Sequence, residues 1–165
     1  MPRWNVKPPI ERVRNGYRIN LGAEERELVR RLLAELQALL VGSSDNPALK
    51  RIFPAAYHLH EHADKDAEYQ RLMREELVAS RLSAILTVNE ALEAKPPLQE
   101  SQILALMQSL NGLRLVIGTV LDVSEEEDLS EVADDAPNAG EHHLYGFLSW
   151  LLEWTVRALD PDAGD

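Results

Sequence analysis

An asparagine and an arginine set into a run of leucines are the first residues in this sequence whose types and spacing could do chemistry. In Gln102 to Leu121, read QILALMQSLNGLRLVIGTVL, the residues Gln108, Asn111, Arg114 and Gly118, with Asp122 beyond, follow one another at steps of three or four. On a helix that spacing stacks them along one stripe. A guanidinium in such a stripe offers a fork of donors that fits a carboxylate or phosphate, and an asparagine beside it can orient the bound group. Tyr145 and Glu153, in the last apolar segment, complete the candidate ligand-binding set Asn111, Arg114, Glu153 and Tyr145. The competing reading of the same residues is structural. Arg114 would then pair with a buried carboxylate, Glu153 first and Glu76 second, and Gly118 would let another helix approach closely. The structural reading is the favoured one, because one asparagine–arginine pair on an otherwise apolar helix is more often core wiring than catalysis.

The other chemistry-bearing run is His58-Leu59-His60-Glu61-His62. On a helix His58 and His62 would share a face at the i, i+4 spacing of HExxH zinc sites, but no glutamate stands at the HExxH position. The run is therefore read as structural or adventitious, with no metal site assigned and metal binding as the lesser alternative. A stretch from Ser124 to Asp135 holds seven acidic residues without the Asp-x-Asp-x-Asp-Gly spacing of a calcium loop, so it is read as a solvated acidic loop over 124–139. No nucleophile–base set or phosphate loop is evident, and no cofactor is expected.

The elements that must position these residues follow from periodicity. Ile10 to Asn20 alternates around Asn15-Gly16, which predicts a hairpin with those two residues at its turn and Trp4, Val13, Tyr17 and Ile19 as anchors. Leu28, Leu32, Leu36, Leu39 and Leu40 predict a helix from Ala23 to about Leu40, with Glu24, Glu25 and Glu27 opposing its dipole favourably. Ala48 to Phe53 reads as one helical turn, Ala67 to Met73 as a short lead-in helix, and Arg74 to Leu92 as a long helix with Leu77, Leu82, Ile85, Leu86, Val88 and Leu92 inward. Lys95-Pro96-Pro97 closes it. The apolar helix from Gln102 is the expected centre, and a last helix runs from about Glu141 to Leu159. The expected fold is an all-α bundle of about four main helices with a small N-terminal β-hairpin packed on it, one domain over 1–165 with the hairpin segment in 1–22.

Composition bounds the function classes. The 165 residues carry no cysteine, which removes thiol catalysis, disulfides and cysteine-ligated zinc and fits a reducing cytoplasm. The start, MPRWNVKPPI, lacks the apolar core of a signal peptide, and no uninterrupted apolar run reaches a membrane span, so no membrane role is expected. The net charge of −11 divides into +4 over residues 1–20, −3 over 21–119 and −12 over 120–165. A chain so acidic is a poor phosphate binder, and no nucleic-acid role is expected. Three tryptophans and the surplus leucines of the terminal helices predict a homodimer.

Several of these residues also carry a likeness. Leu110-Asn111-Gly112-Leu113-Arg114-Leu115, Gly118, Leu121-Asp122-Val123, Tyr145 with Leu148, Leu151 and Glu153, and more loosely Trp4 and Tyr69 to Arg81, make the chain resemble an actinobacterial domain-of-unknown-function family. Genes of that family often lie beside the gene of ClpS, the substrate adaptor of the Clp protease. The sequence departs from the family at Gly112, where aspartate is usual, at Leu152, where glutamine is usual, and in the histidine run. The resemblance implies a fold and a neighbourhood and assigns no activity. The expected function is a non-enzymatic interaction or regulatory protein linked to protein turnover, with Clp components as the partner that the resemblance suggests. The alternative is a small-ligand binder or enzyme using the polar site around Asn111 and Arg114.

Overall fold

The computed structural model describes residues 7–42, 46–49, 51–52, 63–121 and 139–162, with the backbone alone for 63–66. Trp4, the His58–His62 run, Asp122 and the acidic stretch through residue 138 lie outside the described residues. The elements are β1 (Ile10–Val13), β2 (Gly16–Ile19), α1 (Ala23–Val41), a 3-10 turn at Pro47–Leu49, α2 (Ala63–Glu93), α3 (Glu100–Leu121) and α4 (Ala139–Leu159). The expected all-α bundle with an N-terminal hairpin is therefore what the chain forms.

The hairpin register pairs Ile10 with Ile19 and Val13 with Gly16, so its two-residue loop is Arg14-Asn15 rather than the expected Asn15-Gly16. Gly16 serves a different need. It sits at φ +152°, a region closed to L side chains, and a Cβ there would run into the backbone carbonyl of Leu98. That close approach lets Tyr17 and Leu98 exchange backbone hydrogen bonds of 3.0 and 2.8 Å, so the loop before α3 joins the edge of the hairpin. Ile10, Tyr17 and Ile19 are buried beneath it, whereas Val13 is only half-buried.

α1 begins after Gly22, whose N–H donates to the Glu25 carboxylate, and buries Val29, Leu32, Leu33, Leu36 and Leu40. Its Arg26 ties three elements together. The guanidinium donates to the carbonyls of Leu21, Ile19 and Leu92, the last at the end of α2. α2 is one continuous helix of 31 residues, not a short helix followed by a long one. Its buried residues are Ala84, Ile85, Val88, Ala91 and Leu92, while Leu86 is 62% exposed and Leu77 also faces outward. The correction has a simple cause. Taken at 100° per residue, Leu86 lies off the phase set by Ile85, Val88 and Leu92, whereas Leu77 lies near that phase but before Ala84, where the buried part of the helix begins.

α3 contacts α1, α2, α4, the 3-10 turn and β2, as its apolar circumference requires. Ile103 and Leu110 on it are fully buried, as are Leu148 and Leu151 opposite on α4. Among the described residues it is also the one helix long and apolar enough to cross a membrane by length and composition, and half of its most apolar window is buried inside the bundle.

Candidate functional site

The polar stripe of α3 is divided between two neighbours. Residues 108 and 114 are about 120° apart around the helix, so they look toward different helices. Gln108 turns to α2, where its Nε2 donates to Ser80 Oγ at 3.1 Å. Arg114 turns to α4, where its Nε donates to Tyr145 Oη at 3.1 Å and its guanidinium carbon lies 5.6 Å from the ring centre. Asn111 falls between them and is exposed. Gly118 does not admit a helix backbone. A Cβ there would stand 2.8 Å from Arg51 Nη1 and 3.2 Å from Tyr145 Cε2, so the bare backbone seats a guanidinium and an aromatic ring.

Of the four predicted site residues, the structure brings Arg114 and Tyr145 into contact, leaves Asn111 one turn away in solvent, and places Glu153 elsewhere. Glu153 is exposed and its Oε1 lies 2.7 Å from Arg157 Nη2 on the same helix. The buried face of α4 runs through Tyr145, Leu148, Leu151, Thr155 and Ala158, and Glu153, two residues past Leu151, lies about 200° around from it. The expected Arg114–Glu153 pair therefore does not form, and Glu76 is likewise exposed. Among the described residues neither Arg114 nor Arg81 joins an ion pair.

Arg81 is the residue that sequence reasoning missed. It stands on α2 in phase with Val78, Ile85, Val88 and Leu92, so it enters the bundle by its position on the stripe, and that phase is the signal that could have found it. Its Nη1 donates to the Gln108 carbonyl at 3.1 Å and lies 2.7 Å from where a Cβ on Gly112 would be. Burial pushes this guanidinium below its ordinary range. Its Nε is buried without a partner, as is the hydroxyl of Ser109 on α3. Both line one cleft with Leu36, Ala84, Ile85 and Gln108.

A third feature lies on the outer flank of α4. Phe147, Trp150 and Trp154 recur at steps of three and four, with the first two rings 6.1 Å apart centre to centre. Trp150 is 42% exposed, and Arg157 stacks over Trp154 at 5.1 Å. Gly146, one turn before Trp150, would place a Cβ in open space with nothing within 4 Å, so no neighbouring side chain covers the surface beside the ladder there. Among the described residues no group of three histidine, aspartate or glutamate side chains is placed to hold a metal ion.

The family model described as "Domain of unknown function (DUF2017)" matches residues 7–159. The match spans nearly the whole chain, and the protein belongs to that family. No curated protein and no solved structure matches it.

Proposed function

We propose that this protein of the DUF2017 family acts by binding another protein through the outer face of α4. The observation that carries the reading is the aromatic ladder Phe147, Trp150 and Trp154 with Arg157 stacked at its end. Tryptophan and arginine dominate the few residues that supply most of the energy of protein interfaces, because each buries a large rigid surface and keeps a polar handle. Phe147 is rigidly backed by the bundle, since it packs on the core cluster, so the ladder is held in place before a partner arrives. The Glu153–Arg157 pair forms a polar rim beside it. The resemblance to a family whose genes neighbour that of ClpS supports protein turnover as the setting and Clp components as the first partners to test.

The test is affinity capture from native cytoplasm with the intact chain and with Trp150→Ala/Trp154→Ala side by side. A partner enriched by the intact chain and lost from the variant is the expected result. Equal recovery by both would remove the ladder from the account. A second copy of the chain is the alternative occupant, and sedimentation at about 50 µM, where a modest interface is filled, separates the cases. A dimer dissociated by Trp150→Glu would assign the face to self-association.

Arg114 favours one further reading, a ligand site at the junction of α3 and α4. It holds Tyr145 by a single hydrogen bond and joins no ion pair among the described residues. A metabolite panel followed by melting temperature tests it, because a ligand that binds only the folded chain raises that temperature.

A further inference from the structure

The first half of α2 has its polarity turned inside out. Over residues 67–80 the half-buried side chains, those that lean on the rest of the fold, are Gln70, Arg74 and Val78, and two of the three are polar. The large apolar residues point away instead: Tyr69 is 60% exposed, Leu72 50%, Met73 38% and Leu77 37%. At 100° per residue Tyr69 and Leu72 stand about 140° and 160° from the line through Gln70, Arg74 and Val78, and Met73 and Leu77 complete a stripe about 12 Å long. A surface helix is ordinarily apolar inward and polar outward. Single exposed leucines are common, whereas a contiguous outward stripe marks a contact surface. Further along the same side of α2 the sequence turns to hydroxyls, Ser80, Ser83 and Thr87, so the apolar stripe is limited to the part of the helix, 67–83, in which no residue is buried.

The charges around the stripe define what can cover it. Glu68 and Glu75 line one edge and Glu76 sits within it, all three exposed and, among the described residues, joined in no ion pair. The exposed cation of this stretch, Arg71, lies about 100° beyond Leu72, and the half-buried Arg74 faces the bundle. We infer that this face of α2 docks a helix of a second protein whose apolar stripe is edged with lysine or arginine. Tyr69, Leu72, Met73 and Leu77 fill the grooves between turns of the incoming helix. The three carboxylates meet its flanking cations, and the chain's charge of −11 speeds its approach. A second copy of the chain is a poorer occupant, because a two-fold contact sets one patch against itself and would bring these glutamates together. The surface of an anionic membrane is repelled by the same charges. This surface lies on a different helix from the aromatic ladder of α4 and does not rest on that reading.

The experiment measures fluorescence anisotropy of a dilute, labelled peptide of about 18 residues, long enough to form a helix once docked, with leucines at helical spacing and lysines on both flanks. Saturable binding to the intact chain is expected, weakened tenfold or more by Leu72→Ser/Leu77→Ser and at least threefold by Glu68→Gln/Glu75→Gln/Glu76→Gln. Tyr69→Ser, at the most exposed of the four positions, is the second apolar variant and should weaken binding while leaving the melting temperature unchanged. The same peptide with glutamates in place of its lysines should not bind, and Trp150→Ala/Trp154→Ala should bind as the intact chain does. Absence of saturable binding, binding that survives both apolar variants, or equal binding of the glutamate peptide would overturn the inference. So would a dimer of the intact chain that Leu72→Ser/Leu77→Ser dissociates in sedimentation, or flotation with phosphatidylserine vesicles that the same variant abolishes, since these assign the face to a second copy or to a membrane.

Discussion

Two arginines reach α3 by different routes, and the difference decides what each should cost to remove. Arg114 is half-buried, bonded to Tyr145 through one hydrogen bond and stacked against its ring. Glu153 is exposed and engaged with Arg157, so no buried carboxylate is stranded when Arg114 is removed. Arg114→Ala should therefore cost about 1–2 kcal/mol, the worth of a hydrogen bond and some packing, rather than the roughly 3–5 kcal/mol of a broken buried ion pair. Denaturant unfolding of Arg114→Ala, Glu153→Leu and the double variant tests this. The two losses should add to within about 0.5 kcal/mol, as they do for sites that share no partner. A coupling above about 1 kcal/mol would restore the pairing that the sequence suggests. Arg81 differs because it lies against backbone: its head rests on Gly112, and among the described residues it joins no ion pair.

At the scale of elements, the hairpin is held to the bundle by its backbone as much as by its side chains. Gly16 admits Leu98 to the edge of β2, and Arg26 gathers the carbonyls of Ile19, Leu21 and Leu92 under one guanidinium. Gly16→Ala should destabilise the fold by more than about 2 kcal/mol, because the residue must adopt a φ forbidden to alanine while its methyl strikes the Leu98 carbonyl. Its unfolding midpoint in urea is the check, and a change below about 0.5 kcal/mol would show that Leu98 yields easily. The sequence exposed the hairpin, since alternation around Asn15-Gly16 is local, but it did not expose which two residues form the loop. That choice belongs to Leu98, some eighty positions away and invisible to any local pattern. α1, α3 and α4 were legible for the same local reason, their leucines recurring at helical steps. α2 was legible as helix from Ala67 to Leu92 but not as one continuous element, because Gln70 and Arg74 occupy the half-buried phase where apolar residues would have joined its two segments. The Arg114–Tyr145 contact was half legible: the arginine by its isolation among leucines, its partner only through the packing of α4 on α3.

For the whole molecule, the charge of −11 sets the terms on which any partner approaches. Long-range repulsion from an acidic chain is screened within about 8 Å at physiological salt, so short-range apolar contact has to supply the affinity. The outer face of α4 offers that contact, with a tryptophan exposed on a helix packed against the bundle, an uncovered Gly146 beside it and an arginine at its end. The most direct measurement places a photoreactive phenylalanine analogue at position 150 in the otherwise unaltered chain and irradiates living cells of its own source. One discrete crosslinked protein, absent when the analogue stands instead at exposed Val41 on α1 and lost on Trp154→Ala, is the predicted result. No adduct at position 150, or the same adducts from position 41, would contradict a partner-binding role for α4.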